Sequence, residues 1–364
     1  MILLRRGVAL LGASGIVAQR FQQRLTNHPW FELVAVFGSE STRGKSLSEI
    51  HWKLPEERPN LPTIIIGECS IEDITSQLEE LNCQLIFSAL PSGVATDIEA
   101  PLRAAGFHVF SNSSHHRMDD DVPLVIADLN PHHLALAKSP AADTYSGSIL
   151  CATNCTVVPI ALTLKPIWDM IGFDRVSITT EQSLSGGGYA TMNRFDDSGE
   201  FSKDIPGEAE KVGEECLRLL GRVSPTGVEL ADFSISVICS RVSRRYGHMV
   251  HVEVDLLGDV DMVEVREWIG NYRARAQALE LPSAPEVPLL LVDDSIDLEE
   301  HLFAGGVSKN PTTDLRCGMA VVVKLDSLSG RTLRFSAYSE NTLRGAAGGC
   351  VLLAELAIAE GIVP

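Results

Sequence analysis

A single cysteine, Cys155, carries the strongest chemical signal in this chain. It follows Asn154 and precedes an apolar run, in the stretch Cys151-Ala-Thr-Asn-Cys-Thr-Val-Val-Pro159. Small and polar residues before an apolar run are typical of a loop that enters a helix, where the positive end of the helix dipole lowers the pKa of a thiol. We therefore expect Cys155 to be a nucleophile, although most free cysteines are buried structural residues. Cys151 lacks this context and is expected to be structural.

Candidate partners for this thiol follow in the second half of the chain. His248 ends the segment Arg241-Val-Ser-Arg-Arg-Tyr-Gly-His, and it could take a proton from Cys155 or deliver one during the reaction. Arg241 could bind a carboxylate through two parallel hydrogen bonds. The run Ser185-Gly186-Gly187 follows Gln182 closely and would let a substrate or a nicotinamide approach the backbone.

A glycine-containing turn near the start of the chain indicates a dinucleotide site. Gly12-Ala13-Ser14-Gly15-Ile16-Val17 follows a short apolar strand and opens a helix, so a pyrophosphate could approach its backbone N–H groups. A second strand is followed by polar residues that would meet the adenosine ribose: Ser39, Ser41, Thr42 and Arg43. Hydroxyls and an arginine suit a 2′-phosphate and favour NADP. Glu40 in the same loop could bind a free 2′-hydroxyl, so NAD stays an alternative.

The elements around these residues alternate between strand and helix in the first part of the chain. Strand patterns over 7–11, 31–37, 85–90 and 107–110 are interspersed with helical patterns over 17–25 and 94–105. This alternation predicts parallel βαβ units, which bind ligands at the carboxyl ends of their strands. Later strand patterns with longer connections predict an α+β domain with a mainly antiparallel sheet: 176–182, 234–240, 249–256 and 318–325.

The predicted fold class is therefore α/β, with a Rossmann-type parallel-sheet domain followed by an α+β catalytic domain. We assign residues 1–154 to the nucleotide-binding domain and residues 155–341 to the catalytic domain. A helix predicted over 344–360 is poor in charge and rich in small residues. It would pack against the first domain, to which we assign residues 342–364.

Composition limits the partners that the chain can have. The 364 residues carry a net charge of −18 and are 45% hydrophobic and 21% charged, which is ordinary for a globular protein. The negative charge argues against nucleic acid and anionic membranes, and no apolar run is long enough to predict a transmembrane helix. Eight cysteines are too few for a disulfide scaffold and lack the spacing of a zinc site. We expect no metal and a reducing, cytoplasmic setting.

The order of these motifs resembles the aspartate-semialdehyde dehydrogenase family, in its archaeal and fungal branch. The similarity covers nearly the whole chain and rests on these segments in order: Gly12-Ala-Ser-Gly-Ile-Val, Ala89-Leu-Pro-Ser, Ser111-Asn-Ser-Ser-His-His-Arg117, Asn154-Cys-Thr, Gln182-Ser-Leu-Ser-Gly-Gly-Gly-Tyr189, Arg241-x6-His248 and Asn341-Thr-Leu-Arg-Gly-Ala-Ala-Gly348. The resemblance implies reversible, NADP-dependent reductive dephosphorylation of L-aspartyl-4-phosphate to L-aspartate 4-semialdehyde, in lysine, threonine and methionine biosynthesis. It also implies a homodimer or homotetramer formed through the second domain.

The resemblance implies catalytic and cofactor roles for individual residues. Cys155 is matched to the nucleophile that forms a thioacyl intermediate, His248 to the acid/base catalyst and Gln182 to the residue that orients the substrate. Asn341 is matched to the residue that contacts the nicotinamide carboxamide. The other cofactor contacts beyond the first glycine turn and the ribose loop are Ser88, Leu90, Ser185, Gly186 and Gly187.

Substrate contacts are implied in the same way. Arg241 matches the arginine that binds the α-carboxylate of the substrate. Glu208 and Lys211 match a pair that holds the substrate amine and the phosphate. Arg117 and Asn112 fall in the loop that completes the anion site.

Two departures from the family pattern are expected close to the substrate site. They are the segment 190–202 and Asp128, which stands where the family has a glutamate. An altered acyl donor therefore stays open, and malonyl-CoA is the leading alternative, although a functional Glu208 favours a substrate with an amine. N-acetylglutamyl phosphate and glyceraldehyde-3-phosphate enzymes share the chemistry but differ around the cysteine and histidine. A non-catalytic nucleotide-binding module is disfavoured because the candidate catalytic residues occur together at family spacing.

Overall fold

The first half of the molecule is built on a parallel sheet. The computed structural model describes residues 5–138 and 147–364, so residues 1–4 and 139–146 of the predicted first domain lie outside the described residues. Six strands pair in the order β3-β2-β1-β4-β5-β6, with all pairings parallel. Their bounds are β1 (Arg6–Leu11), β2 (Phe31–Gly38), β3 (Gly67–Glu68), β4 (Leu85–Ser88), β5 (His108–Ser111) and β6 (Ser148–Cys151). This arrangement confirms the predicted α/β class.

Helices connect these strands and cover the sheet. They are α1 (Ile16–Leu25), α2 (Ile71–Glu80) and α3 (Ser92–Ala104), with short 3-10 segments at Leu47–Glu49 and Pro131–Lys138. The residues 8–11 of β1 are fully buried. Both faces of the central strands are covered, which explains why these strands are continuous apolar runs rather than alternating ones.

A second six-stranded sheet forms the other half, in the order β10-β7-β11-β14-β13-β12. Its strands are β7 (Phe173–Gln182), β10 (Ser234–Arg241), β11 (His248–Leu256), β12 (Leu289–Val292), β13 (Val321–Ser329) and β14 (Thr332–Ser339), and a separate hairpin joins β8 (Arg222–Ser224) to β9 (Gly227–Glu229). The three inner pairings are antiparallel and the two edge pairings are parallel. The mainly antiparallel sheet is confirmed, but the predicted strands lacked counterparts of β12 and β14.

The helices of this half are α4 (Val157–Met170), α5 (Gly188–Ser198), α6 (Glu208–Leu219), α7 (Met262–Gly270) and α8 (Arg275–Ala278). Helix α4 is buried over most of its length and packs against α6, α7 and the strands β11, β13 and β14. It therefore anchors the start of the second half in the core. Among the described helices, none combines the length and apolar character that crossing a bilayer requires.

The C-terminal segment differs from the single helix predicted over 344–360. A π-helical turn, Leu343–Ala347, contains Ala346 at φ −146° and ψ −107°, and α9 (Gly348–Ala359) follows it. The chain is thus redirected just before α9, which packs against α1 and β5. Nine of the twelve residues of α9 are buried, as expected for a helix that is apolar on most sides.

Candidate active site

The strand register of the second sheet brings three of the predicted residues to one edge. Strands β7 and β10 run parallel, and their last residues, Gln182 and Arg241, are paired. Strand β11 runs the opposite way and begins at His248, opposite Ser339 at the end of β14. The side chains separated by up to 66 positions in the chain therefore converge because strands end and begin at the same place.

The candidate nucleophile lies in the loop between β6 and α4. Thr156 caps α4, and the preceding residue, Cys155, holds its Sγ 3.2 Å from Nε2 of His248. The redirected C-terminal turn passes close to this cysteine. A Cβ atom built on Gly345 would lie 2.5 Å from Cβ of Cys155, so only glycine fits there.

The tautomer of His248 follows from its hydrogen bonds. The backbone N–H of Ser183 donates to Nδ1 of the fully buried imidazole at 3.1 Å, so the single ring proton of the neutral form lies on Nε2, which faces the sulfur of Cys155. Burial lowers the pKa of His248 to about 3, and the positive charges of Arg244 and Arg241 add to this effect. His248 is therefore a neutral hydrogen-bond donor toward the thiol.

Asn341 holds the backbone around this histidine. Its Oδ1 accepts hydrogen bonds from the N–H of Gly247 at 2.8 Å and from the hydroxyl of Ser183 at 3.1 Å. Its Nδ2 donates to Oγ of Ser185 at 3.0 Å. The side chain predicted to meet the nicotinamide thus also ties together the segments on either side of His248.

The pKa of the Cys155 thiol moves against the direction predicted from its helix terminus. Burial raises this pKa to about 12, and the negative charge of Glu208 adds to the rise, whereas Arg117 opposes it. The predicted lowering was wrong because the cost of burying a thiolate exceeds the favourable field of one helix end. Cys151, fully buried at the end of β6, also has a raised pKa and fits its predicted structural role.

Glu208 organises the amides next to the cysteine. Its Oε1 accepts hydrogen bonds from Nδ2 of Asn154 at 3.0 Å and from Nε2 of Gln182 at 3.1 Å. Within the described residues neither a hydrogen bond nor an ion pair uses its second oxygen, Oε2. This half-buried carboxylate can therefore orient both amides and still bind a cationic group.

Arg117 is the second charged group beside the thiol. It is buried, with Nη1 donating to Oε1 of Glu215 at 2.9 Å and Nη2 donating to the carbonyl of Asn112 at 2.8 Å. Its Nε is buried without a hydrogen-bond partner among the described residues. On the other side, Arg241 donates from Nη1 to the carbonyl of Ser183 at 2.8 Å. The two guanidinium groups make the site favourable for anions.

A cavity of about 160 Å³ lies between Cys155, Arg117 and the first helix. Its lining residues are Ile16, Val17, Asn112, Arg117, Asn154, Cys155, Ser185, Gly186, Asn341, Thr342, Gly345 and Ala346. Six residues predicted near the substrate are not among these lining residues: Asp128, Gln182, Glu208, Lys211, Arg241 and His248. Lys211 is exposed on α6, one turn after Glu208. Asp128 is fully buried and forms an ion pair with Arg344, and its expected place near the substrate stays a prediction.

The glycine turn meets the requirements of a dinucleotide site. Gly12 directly follows β1 at φ +102°, a conformation that L-residues with a side chain rarely adopt. Gly15 caps α1 without a side-chain hydrogen bond, so the amides of the first turn are available to a phosphate. Ser88 and Leu90, at the end of the neighbouring strand β4, lie on the same edge of the sheet. Ala13 is buried beneath the turn and Ser14 is exposed.

The loop after β2 holds the candidate contacts to the ribose. The hydroxyls of Ser39 and Ser41 are 2.9 Å apart, whereas the buried hydroxyl of Thr42 donates to the carbonyl of Ser39. Arg43 forms an exposed ion pair with Glu68. Lys45, which sequence reasoning missed, donates to the carbonyl of Ser41 and adds a second cation to the loop. Both cations suit a 2′-phosphate.

The divergent segment 190–202 lies elsewhere than expected. Most of it forms α5, whose Met192 packs in an apolar cluster with Ile16 and Leu54. Tyr189, just before it, donates from its hydroxyl to Oε1 of Gln19 at 2.7 Å. The segment therefore contacts the nucleotide-binding half through α1, and the expectation that it borders the substrate is not supported.

Comparison with known proteins decides the family. Residues 7–137 match the model of the semialdehyde dehydrogenase NAD-binding domain, and residues 164–327 match the model of its dimerisation domain. An aspartate-semialdehyde dehydrogenase from Archaeoglobus fulgidus is 34% identical over 99% of this chain and 100% of its own length. The chain belongs to the semialdehyde dehydrogenase family. The predicted resemblance is thus confirmed, and the protein is an oxidoreductase with an NAD(P)-binding domain.

Other members of the semialdehyde dehydrogenase family differ in the activity their names state. A malonyl-CoA reductase (NADP) from Metallosphaera sedula is 32% identical over 98% of this chain and 97% of its own length. The crystal structure of aspartate-semialdehyde dehydrogenase with NADP from Candida albicans has a TM-score of 0.81 and is 28% identical, covering 99% of this chain and 100% of its own. Relatives that match this chain over nearly its whole length are therefore named for two different activities, aspartate-semialdehyde dehydrogenase and malonyl-CoA reductase.

Proposed function

We propose that this protein reversibly reduces L-aspartyl-4-phosphate to L-aspartate 4-semialdehyde with NADPH, releasing phosphate. The observation that carries the proposal is the contact of 3.2 Å between Sγ of Cys155 and Nε2 of His248. Cys155 also lines a cavity that reaches the first turn of α1. A thiol beside a hydrogen-bond donor and within reach of a dinucleotide site suits acyl transfer followed by reduction.

Cys155 and His248 carry the acyl-transfer step. Sγ of Cys155 attacks the acyl carbon, forming a C–S bond as the C–O bond to phosphate breaks. The thiol proton leaves on the departing phosphate, which is released as HPO₄²⁻. His248 donates its Nε2–H toward the negative charge that develops, first on sulfur and then on the carbonyl oxygen. Because the Ser183 amide occupies Nδ1, His248 stabilises this charge by donation rather than by storing the thiol proton.

The backbone supplies a second donor for the carbonyl oxygen. The backbone N–H groups on either side of Cys155 already have hydrogen-bond partners. Asn154 N–H donates to Glu215, and Thr156 N–H donates to Oδ1 of Asn154. The N–H of Cys155 donates to no other described residue. We assign it to the oxyanion beside His248.

When bound, NADPH would supply a hydride to the acyl carbon. The C–S bond to Cys155 then breaks, the aldehyde is released, and Sγ takes up a proton from solvent. The amides of the Gly12–Val17 turn would hold the pyrophosphate of NADPH, and Asn341, Ser185 and Gly186 would border its nicotinamide. Arg43 and Lys45 would bind the 2′-phosphate, which is why we propose NADP over NAD.

The substrate would be held by its charged groups. Arg241 would bind the α-carboxylate, and Oε2 of Glu208 would bind the α-ammonium. Arg117 and Asn112 would receive the phosphate, with the unpartnered Nε of Arg117 as one donor. Lys211 could reach the phosphate only by extending from the exposed side of α6.

A second candidate, reduction of malonyl-CoA, is favoured by the relative from Metallosphaera sedula. A malonyl group has no amine, so it would leave Oε2 of Glu208 without a partner. We therefore rank the aspartyl substrate first.

Assembly and location are also proposals. The match to a dimerisation domain supports a homodimer or homotetramer formed through the second half. Ile238, which is 67% exposed on the edge strand β10, would be covered by such a contact. All eight cysteines lie in the described residues and none forms a disulfide, which suits a reducing cytoplasm.

The proposal is tested by initial rates with L-aspartate semialdehyde and phosphate, using NADP and then NAD, and by a parallel assay with malonyl-CoA and NADPH. We expect phosphate-dependent NADPH formation that Cys155→Ser abolishes while NADP binding, followed by fluorescence titration, is retained. Turnover of malonyl-CoA alone would replace the first candidate by the second. Substantial turnover in Cys155→Ser would refute the covalent mechanism.

A further inference from the structure

Helix α6 presents two carboxylates to the nucleophile loop, and the proposed function uses only one. Glu208 and Glu215 are seven residues apart, which places them on the same face of the helix, two turns from each other. Glu208 holds the side chain of Asn154. Glu215 holds the backbone of the same residue, because its Oε2 accepts from Asn154 N–H at 2.7 Å.

Glu215 has two further contacts, both inside the core. Its Oε2 also accepts from the hydroxyl of Thr153 at 2.6 Å, and its Oε1 accepts from Nη1 of Arg117 at 2.9 Å. Only 3% of Glu215 is exposed, so these donors replace the water that a carboxylate would otherwise require. One buried carboxylate thus joins the loop before Cys155 to the arginine beside it.

The consequence for the site is geometric. Since Glu215 takes the Asn154 amide, the next amide, that of Cys155, is the one left for the oxyanion. Nη1 of Arg117 also donates to Glu215, and its Nη2 donates to the carbonyl of Asn112. These two hydrogen bonds fix the plane of the guanidinium group, and its Nε has no partner among the described residues. The anion-binding group and the nucleophile are held in one arrangement by the same side chain.

We propose that Glu215 is a positioning residue that sets Arg117 and the Cys155 loop relative to each other for acyl transfer between phosphate and Cys155. This inference rests on the proposed function for its substrate, an acyl phosphate. Glu215 touches neither the proposed substrate site nor the cofactor site directly, and it acts through Arg117 and Asn154.

Glu215→Gln separates positioning from charge. An amide NH₂ must face either Arg117 or the Asn154 N–H, both of which are donors, so one of the two contacts breaks. Positioning therefore predicts at least a tenfold rise in KM for phosphate together with at least a tenfold fall in kcat, and a KM for NADP within twofold of wild type. A purely electrostatic role predicts the opposite sign for phosphate, because removing a negative charge beside Arg117 would tighten anion binding.

A double-mutant cycle tests the route through Arg117. Arg117→Ala alone should raise KM for phosphate, and adding Glu215→Gln should raise it by no more than a further threefold, since the group it positions is gone. Glu214→Gln, an exposed neighbour on α6, is the matched control and should behave as wild type. Wild-type constants in Glu215→Gln, a lower KM for phosphate, or fully multiplicative effects in the cycle would overturn the proposal.

Two further measurements, the kcat of Thr153→Val and phosphate binding to Glu215→Gln, cover the cases in which the first variant does not fold or the wild-type protein is inactive. If Glu215→Gln does not fold, Thr153→Val is the replacement variant, because it removes only the hydroxyl contact to Oε2 of Glu215. It should lower kcat about fivefold and leave KM for phosphate and for NADP unchanged. An unchanged kcat would contradict the inference. If the wild-type protein shows no turnover, the proposed function fails instead. Glu215 is then tested by calorimetric titration with inorganic phosphate, which Glu215→Gln should weaken at least tenfold, whereas unchanged binding would refute its role.

Discussion

Gly345 offers the sharpest test of how the nucleophile is placed. A Cβ atom at this position would lie 2.5 Å from Cβ and 2.8 Å from Cα of Cys155. Carbon atoms pack at about 3.5 Å or more, so Gly345→Ala must separate the two chain segments by roughly 1 Å. The nearest obstacles are the Cβ and backbone of Cys155, which cannot rotate away as the end of a flexible side chain could.

The expected cost follows from that displacement. A misplacement of about 1 Å typically lowers turnover about 100-fold, which corresponds to roughly 2.7 kcal/mol of activation free energy. Overpacking should also lower the free energy of unfolding by about 1–3 kcal/mol. We therefore expect Gly345→Ala to fold but to lose about 99% of kcat, with NADP binding unchanged because the Gly12 turn is untouched.

The assay compares kcat, NADP binding and urea unfolding in Gly345→Ala with those in Gly213→Ala. A Cβ atom at Gly213 would meet only side-chain carbons at 3.5 Å or beyond, so this control should keep full activity. Combining Gly345→Ala with Cys155→Gly removes the clashing Cβ and should recover part of the lost stability but no turnover. Wild-type kcat in Gly345→Ala, or a stability loss that Cys155→Gly leaves entirely unchanged, would refute the reasoning.

Three further predictions concern the histidine and the cofactor loop. If His248 acts by donation, His248→Ala should lower kcat about 10²–10³-fold, whereas His248→Gln, which keeps an N–H donor, should lose clearly less; equal losses would point to proton transfer instead. The pKa of His248 is about 3 in the folded protein, against an ordinary value of 6.5, so the unfolded chain binds more protons between these pH values. The free energy of unfolding should therefore fall as pH drops from about 6.5 toward 3, by up to about 1.4 kcal/mol per pH unit from this group, and urea titrations of His248→Gln should show a shallower dependence. Arg43→Ala and Lys45→Ala should each lower kcat/KM for NADP roughly tenfold with little change for NAD, and a parallel loss with both cofactors would remove these residues from 2′-phosphate binding.

Much of the architecture could be predicted because it depends on local pattern. The first parallel sheet follows from apolar runs that alternate with helical segments, and the glycine turn lies where β1 meets α1. Arg241 and His248 could be picked out because their side chains suit carboxylate binding and proton transfer next to strand patterns, whereas the role of Gln182 follows from the family resemblance. Their convergence then depends only on strand order.

Features that depend on contacts between distant segments could not be predicted from the local sequence pattern. The turn before α9 lies where Gly345 approaches Cys155 closely. The sequence of 344–360 has a continuous helical pattern, which gives no sign of this turn. The raised pKa of Cys155 depends on burial and on Glu208, neither of which is adjacent in sequence. Glu215 could have been suspected from its spacing of seven from Glu208, but its partner Arg117 comes from another element.

The choice between acyl donors comes down to the two oxygens of Glu208. Oε1 is occupied by the amides of Asn154 and Gln182, so the carboxylate is required whichever acyl group is bound. Oε2 has no partner among the described residues, and an ammonium would satisfy it, whereas the methylene of a malonyl group would leave a half-buried charge unpaired. Sites built to bind a polar substrate group discriminate against analogues that lack it, because the protein group then loses its partner. We therefore propose that the carboxylate that orients the amides beside Cys155 also selects an amino-bearing acyl donor.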